Sequence, residues 1–353
     1  MGRSAVVAGQ ADYDKAPGFG RRGYRVLILT NEDAAQVLTM RDTIVALEQL
    51  YGDLGRGSAV YRGRTDLFIP TTGATDDAPS AYQLKTLDGA APRWNVGSIR
   101  LTSDVVAFPL IGGQRRRVKI PAAAGKRYTG LVLLFDSATG ELKSILQDGM
   151  LQQFSVGAIN AIGAKYLARE DSEVVALFGA GGQSVPQLIG LKEVRPIRRV
   201  QVYTPTPGEA EKFVRMNSES LGLEIVAAAT PEAALANADI VVTATNSRVP
   251  FFPAEWLKPG MHLSSLQRDE AKESCFRDLD IVIFHTRAKE LEYASTDFAE
   301  MEKKHGFEMH DHPPSGIDWN DFPDLGELVN GSVKGRASAR QRTFFLNSTG
   351  CGA

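Results

Sequence analysis

Gly179, Ala180, Gly181, Gly182, Gln183 and Ser184 stand between an apolar run, 174–178, and a segment of helical pattern. Glycines at this spacing let a chain turn tightly and bring bare backbone N–H groups within reach of phosphate oxygens. The helix that follows adds its own free N–H groups and the positive end of its dipole. Gly179 would permit the turn and Gly181 the close approach of a pyrophosphate, with Ser184 where a dinucleotide fingerprint has its third glycine. A second strand, 199–203, follows at the distance a strand–helix–strand unit requires. We read the turn as the phosphate site of a nicotinamide dinucleotide, in preference to a plain structural turn.

The elements that position this turn are legible on both sides of it. A helix over 152–168, with Phe154, Ala158, Ala161, Ile162 and Tyr166 at helical spacing, feeds the glycine strand. Beyond it, strands at 200–203, 224–228, 240–244, 262–266 and 279–284 are interleaved with helices at 208–221 and 231–237, the pattern of a parallel, doubly wound sheet. Ligands of such sheets sit past the carboxyl ends of the strands. That gathers Thr204, Thr206, Thr243, Ala244, Thr245, Asn246, Ser265 and Leu266 around the glycine turn as cofactor-binding candidates. Before residue 150 the chain reads as α+β with a largely antiparallel sheet. Its strands are 24–29, 65–69, 82–87, 97–102, 128–136 and 142–146, and its helices 33–37 and 40–51, the first behind capping residues 30–33. Residues 306–323 form a His- and Pro-bearing insertion, 324–331 a helix and loop, and 341–346 a last strand.

Composition narrows the function classes. The chain has 353 residues, room for about two domains. A net charge of -2 with 23% charged residues shows no basic excess for nucleic acid. Two cysteines, Cys275 and Cys351, make no disulfide framework and no metal-ligand spacing. The apolar runs are strand-length, short of the roughly 20 residues of a membrane span. Residues 1–23 read as a flexible leader without the apolar core of a secretory signal, and the expected setting is cytoplasmic.

Several ordered segments together resemble the ornithine cyclodeaminase/mu-crystallin family. They are 179–184, 243–247 with Pro250, Lys258-Pro259-Gly260-Met261-His262, Leu325-Gly326-Glu327, Gly335-Arg336, and Thr343-Phe344-Phe345 with Ser348 and Gly350. The resemblance implies an α/β subunit, usually a homodimer. A Rossmann-like domain (151–330) would bind NAD or NADP, and an α+β substrate-binding and dimerisation domain (24–150 and 331–353) would be built from both chain ends. It implies chemistry at a carbon–nitrogen bond next to a carboxylate, and a further helix where the chain stops at Ala353.

The same resemblance nominates the reacting groups. Arg64, with Arg62 close by, falls where the family has a substrate arginine, and Arg100 where it has a lysine; a guanidinium suits a carboxylate because it gives two parallel charge-assisted hydrogen bonds. Asp269 lies nine residues past Gly260, the place of the cyclodeaminase aspartate, and is the candidate proton carrier. Ser155-Val156 replaces the usual Arg-Thr pair, which argues against an ornithine substrate. The expected activity is an NAD(P)-dependent imine reductase or amino acid dehydrogenase acting on a small carboxylate-bearing substrate. The alternatives are a cyclodeaminase that recycles a tightly bound NAD, and a silent dinucleotide-binding protein. At the end of the second strand Tyr203-Thr204-Pro205-Thr206 offers no acid before Glu209 to repel a 2′-phosphate, so NADPH is slightly favoured. His262 is expected to be a core histidine, His310-Asp311-His312 a loop with no metal, and Arg115-Arg116-Arg117 with Lys119 a solvated edge.

Overall fold

Thr30 caps the first helix: its hydroxyl accepts from the Asp33 N–H at 3.2 Å, and Asp33 Oδ2 takes the Thr30 N–H at 2.9 Å. This reciprocal pair starts α1 (Asn31–Val37) just past β1 (Leu27–Leu29), and the Thr39 hydroxyl caps α2 (Met40–Gly55) by accepting from the Asp42 N–H at 3.1 Å. The computed structural model describes residues 25–71, 77–111, 114–115, 117–121, 129–247, 249–287, 292–295, 298–305 and 317–347. The expected leader 1–23 lies outside them.

Then come β2 (Val60–Tyr61), β3 (Thr65–Pro70), β4 (Ser80–Ala91), β5 (Val96–Ala107), a ribbon of β6 (Leu110–Ile111) and β7 (Gln114–Arg115), β8 (Val118–Ile120), β9 (Thr129–Asp136) and β10 (Leu142–Gln147). They build a nine-stranded sheet in the order β1-β10-β9-β5-β4-β3, completed by β17 (Glu292–Ser295) on β3, by β2 on β4 and by β8 on β5. Apart from the parallel pairs at its two edges, β1 with β10 and β17 with β3, the sheet is antiparallel, as expected.

The twenty-residue α3 (Asp148–Leu167) leads into β11 (Val174–Phe178), α4 (Ser184–Val194), β12 (Arg199–Tyr203), α5 (Glu209–Leu221), β13 (Glu224–Ala227), α6 (Pro231–Leu235), β14 (Ile240–Thr243), β15 (His262–Ser265), α7 (Ser274–Arg277) and β16 (Ile281–Phe284). After β17 follow α8 (Phe298–His305), α9 (Leu325–Val329) and β18 (Thr343–Leu346). The second sheet has the order β13-β12-β11-β14-β15-β18-β16, every pair parallel. Its strands β11 and β16 are continuous apolar runs, and β14, β15 and β18 are buried throughout, as in a sheet covered on both faces. Gly157 lets α4 close on α3, since a Cβ there would stand 2.4 Å from the Pro186 carbonyl oxygen.

One boundary differs from expectation. The sequence places residues 331–353 in the first sheet's domain, but β18 lies between β15 and β16 in the parallel sheet, with all four residues buried. An apolar run buried on both faces fits only the interior of a covered sheet, and Arg336 ties the segment before it to α3 by donating to the Leu167 carbonyl at 2.6 Å. In exchange, β17, inside the expected 151–330 domain, adds to the first sheet.

Candidate active site

The glycine turn is built as a cradle. Gly179 sits at φ +105°, and a Cβ there would lie 2.5 Å from the Ala244 carbonyl oxygen. Gly181 and Gly182 are exposed, and a methyl added to either would meet nothing within 4 Å, so their backbone faces open space. Ser184, where a third glycine would stand, is fully buried and donates back to the Gly179 carbonyl at 3.1 Å, closing the turn from beneath. No side chain caps α4, whose first N–H, that of Ser184, donates to the Gly181 carbonyl at 3.0 Å, and whose positive end faces the turn. The cavity over this turn measures about 750 Å³.

Of the expected cofactor residues, Gly179, Ala180, Gly181, Gly182, Gln183, Thr204, Thr206, Ala244, Thr245, Asn246 and Leu266 line that cavity. Ser184, Thr243 and Ser265 do not; they are buried under it. Phe178, Tyr203, Phe251 and Trp256 form an aromatic wall, and Glu209 lines the far end with Lys212 at 3.2 Å. A turn that needs glycine at 179, open backbone at 181 and 182, a helix start without a side-chain cap and an apolar wall together suit a dinucleotide.

Below the floor lies a carboxyl that the sequence does not single out. Glu270 is fully buried, and its Oε2 takes the hydroxyls of Thr243 and Ser265 and the Gln267 N–H, each at 3.0 Å, while Oε1 takes the Thr245 N–H at 2.5 Å. Burial pushes its pKa up, and the hydrogen bonds from Thr245, Thr243 and Gln267 act against that rise. In the sequence Glu270 looks like one more charge in the run 268–273. The available signal was elsewhere: two hydroxyls, Thr243 and Ser265, inside buried strands need an acceptor. Asp269, the expected proton carrier, is half-buried in the same turn, two residues past the pocket-lining Gln267.

The substrate candidates lie on one face of the nine-stranded sheet. Register pairs Asp66 with Lys85 and Lys85 with Thr102, and in the neighbouring row Leu87 with Arg100. Cross-strand partners share a face, as do residues two apart on one strand. Arg64, Asp66, Lys85, Arg100, Thr102 and Asp104 therefore point the same way. Arg64 Nη2 pairs with Asp66 at 3.0 Å, while Arg64 Nε, Asp66 Oδ1 and Thr102 Oγ1 are buried with no hydrogen-bond partner. Buried polar atoms left open on adjacent strands are a ready site for a polar ligand. Lys85, missed in the sequence, stands among them. Burial, followed by the charges of Arg117 and Arg64, holds its pKa well below the ordinary lysine value.

Arg100 is placed differently from Arg64. Its Nε and Nη2 grip both oxygens of Asp148 at 2.8–2.9 Å, so its fork is already filled. We expect Asp148→Asn to lower the unfolding free energy by about 3–5 kcal/mol, because it strands a largely buried guanidinium; a denaturant titration of both proteins measures the loss. Asp148 opens α3, and one turn on, Gln152 accepts from Gln183 of the glycine turn at 3.0 Å. The first turn of α3 thus joins the cationic sheet face to the dinucleotide cavity.

The remaining candidates are structural. His262 is fully buried, its Nδ1 bonded to the Thr343 hydroxyl at 2.9 Å, and burial with nearby Arg336 pulls its pKa down to about 3. Of the basic run expected to be a solvated edge, Arg116 and the Arg115 side chain lie outside what the structure describes; Arg117 is half-buried and donates to Gln83, and Lys119 pairs with the buried Asp104 at 2.7 Å. His310-Asp311-His312 lie outside the described residues. Among the described residues no group of three or more His, Cys, Asp or Glu could hold a metal ion, and no helix is long and apolar enough to cross a membrane.

Comparison with known proteins places this geometry. The model of the ornithine cyclodeaminase/mu-crystallin family matches residues 117–352. The chain is similar to a protein of Rhizobium meliloti (strain 1021) named for a dehydrogenase, 30% identical over 333 residues that cover 92% of each chain. The ketimine reductase mu-crystallin of Macropus fuliginosus is 26% identical over 262 residues, 74% of this chain and 75% of that one. Among solved structures, Delta(1)-pyrroline-2-carboxylate reductase of Thermococcus litoralis in complex with NADH and L-proline superposes with a TM-score of 0.70 at 25% identity, covering 92% of both chains.

Proposed function

The chain belongs to the ornithine cyclodeaminase/mu-crystallin family, and from that premise we propose that it is an NAD(P)-dependent oxidoreductase of small imino or amino acids, working as an imine reductase. One observation carries the reading. A glycine cradle suited to a dinucleotide is joined, through the first turn of α3, to a buried cationic sheet face whose Arg64 Nε has no partner. When bound, the nicotinamide supplies a hydride.

The protein's own groups do the rest. Arg64 would take the substrate carboxylate through Nε, held in place by its Asp66 pair. Asp66 and Thr102 offer open oxygens to the substrate nitrogen. Asp269, two residues past the cavity-lining Gln267, and Lys85, on the sheet face, are the titratable groups that would move the proton. Arg100 positions the start of α3 through Asp148 rather than gripping substrate. NADPH is favoured over NADH, because Thr204 and Thr206 line the adenosine end and Lys212 offsets the charge of Glu209 there. The setting we infer is cytoplasmic. A homodimer is supported by the sheet's other face: Ile28, Ile69 and Ile120 are exposed there, alongside half-exposed Leu67, Leu84, Ile99, Leu101, Leu133 and Ile145.

The test follows oxidation of NADPH and NADH by the absorbance of the reduced ring, with small 2-oxo acids plus ammonia or methylamine, and with preformed cyclic imines. Oxidation that requires both oxo acid and amine, or a cyclic imine, is expected. Ammonia released from ornithine with no net cofactor consumption would replace this reading with a cyclodeaminase.

A further inference from the structure

We propose that Glu270 is a fixed anion under the nicotinamide end of the cavity, and that it biases the bound cofactor towards its oxidised, cationic form. The inference rests on the dinucleotide reading of the pocket. Strand order reverses between β11 and β14, and dinucleotides lie across such a reversal. The adenosine half belongs with β12, whose end carries Thr204 and Thr206, so the nicotinamide half belongs over the ends of β14 and β15. Those ends are Thr245, Leu266 and Gln267, all lining the cavity.

Glu270 is wired to two of them. Its two oxygens accept one backbone N–H each, from Thr245 and from Gln267. Together with the hydroxyls of Thr243 and Ser265, these N–H groups bring four donors to the two oxygens, and that donor set favours the carboxylate against the burial that pushes its pKa up. The groups that bond it, Thr243, Thr245, Ser265 and Gln267, are all neutral, and the site is fully buried. A charge in such surroundings is poorly screened and acts over a longer range than one in water.

The consequence falls on one redox state. The reduced ring is neutral. On losing a hydride to the imine carbon it becomes cationic, while the C=N electron pair moves to nitrogen, which ends as an amine carrying the added proton. An anion beneath the ring stabilises that cation and leaves the neutral ring almost untouched. The protein therefore favours giving the hydride away, the direction an imine reductase needs. Anchoring Thr245 and Gln267 would serve both redox states equally, so the two roles separate in binding.

The measurement is calorimetric titration of the whole protein with NAD+, NADH, NADP+ and NADPH, without substrate. The wild-type protein is expected to bind the oxidised form at least as tightly as the reduced one. Glu270→Gln should raise the ratio of Kd for oxidised over reduced cofactor about tenfold, and Glu270→Asp should weaken both forms while keeping the ratio within about threefold of wild type. Equal weakening of both forms in Glu270→Gln would reduce Glu270 to an anchor and overturn the proposal. If that variant does not fold, the wild-type ratio decides, and a preference of about tenfold or more for the reduced form would be fatal. Should wild-type protein bind neither form, the dinucleotide reading itself fails; if both bind with an unmoved ratio, only the role of Glu270 does.

Discussion

Gly179→Ala should lower the unfolding free energy by about 3 kcal/mol or more, while Gly181→Ala leaves stability within about 0.5 kcal/mol of wild type. The two glycines meet the different constraints their places in the turn imply. At Gly179 the backbone sits at φ +105°, where side chains are strained, and the added carbon would lie 2.5 Å from the Ala244 carbonyl oxygen. That oxygen belongs to the chain leaving β14, so relief requires moving two strands apart at the point where they hold the cavity. Gly181 has no positive φ, and its added methyl meets nothing within 4 Å. The methyl would project where the phosphates belong, so dinucleotide affinity should fall about tenfold or more with the fold intact. Thermal melts and cofactor titrations of both variants check this. A Gly181→Ala protein with unchanged affinity would remove the phosphates from this turn, whatever the pocket binds.

The contrast shows which parts of the molecule a sequence can carry. The strand, turn and helix around Gly179 are local, and each boundary follows from neighbouring residues: five apolar residues, a glycine run, then a helix that no side chain caps. The seven parallel strands were nearly all legible for the same reason. The sheet face was not. In β4 the alternation Gln83, Leu84, Lys85, Thr86 reads as an ordinary half-buried strand with polar residues turned to water. The structure has it the other way round. Gln83 is buried, Lys85 is half-buried with its ammonium desolvated enough to lower its pKa, and Leu84 is no more covered on the outer face. Alternation reveals that a strand has two faces but not which one the rest of the chain covers. Here only the register across β3, β4 and β5 brings Asp66, Lys85 and Thr102 into one row. Non-local pairing also hid the partner of Arg100, forty-eight residues away at Asp148, and the destination of β18.

Lys85→Met should abolish most of the activity and at the same time stabilise the protein. On the side of activity, an amine whose pKa is lowered well below the ordinary lysine value, among Arg64, Arg117 and Asp66, is suited to exchanging a proton with substrate, and removing such a group costs roughly 10²–10⁴ in kcat/KM. The rate should fall as pH rises through the lowered pKa, well below the ordinary lysine value, if the protonated amine is the acting form. On the side of stability, the sign follows from proton counts. Between the folded-state pKa and that of the unfolded chain, the unfolded protein binds the extra proton, so stability rises with pH across that window. Below the folded-state pKa both states are protonated and the full cost of burying the charge is present. Methionine removes that cost, so the gain should be largest on the acid side and fade as pH climbs towards the lysine's ordinary value. Unfolding curves collected across pH, alongside pH–rate profiles of both proteins, separate the two effects. A Lys85→Met protein as active as wild type would return the proton to Asp269 alone. One that is inactive but also less stable would mean that Lys85 holds Asp66 and its neighbours in place, since a charge that was only a burden to the fold cannot be missed by it.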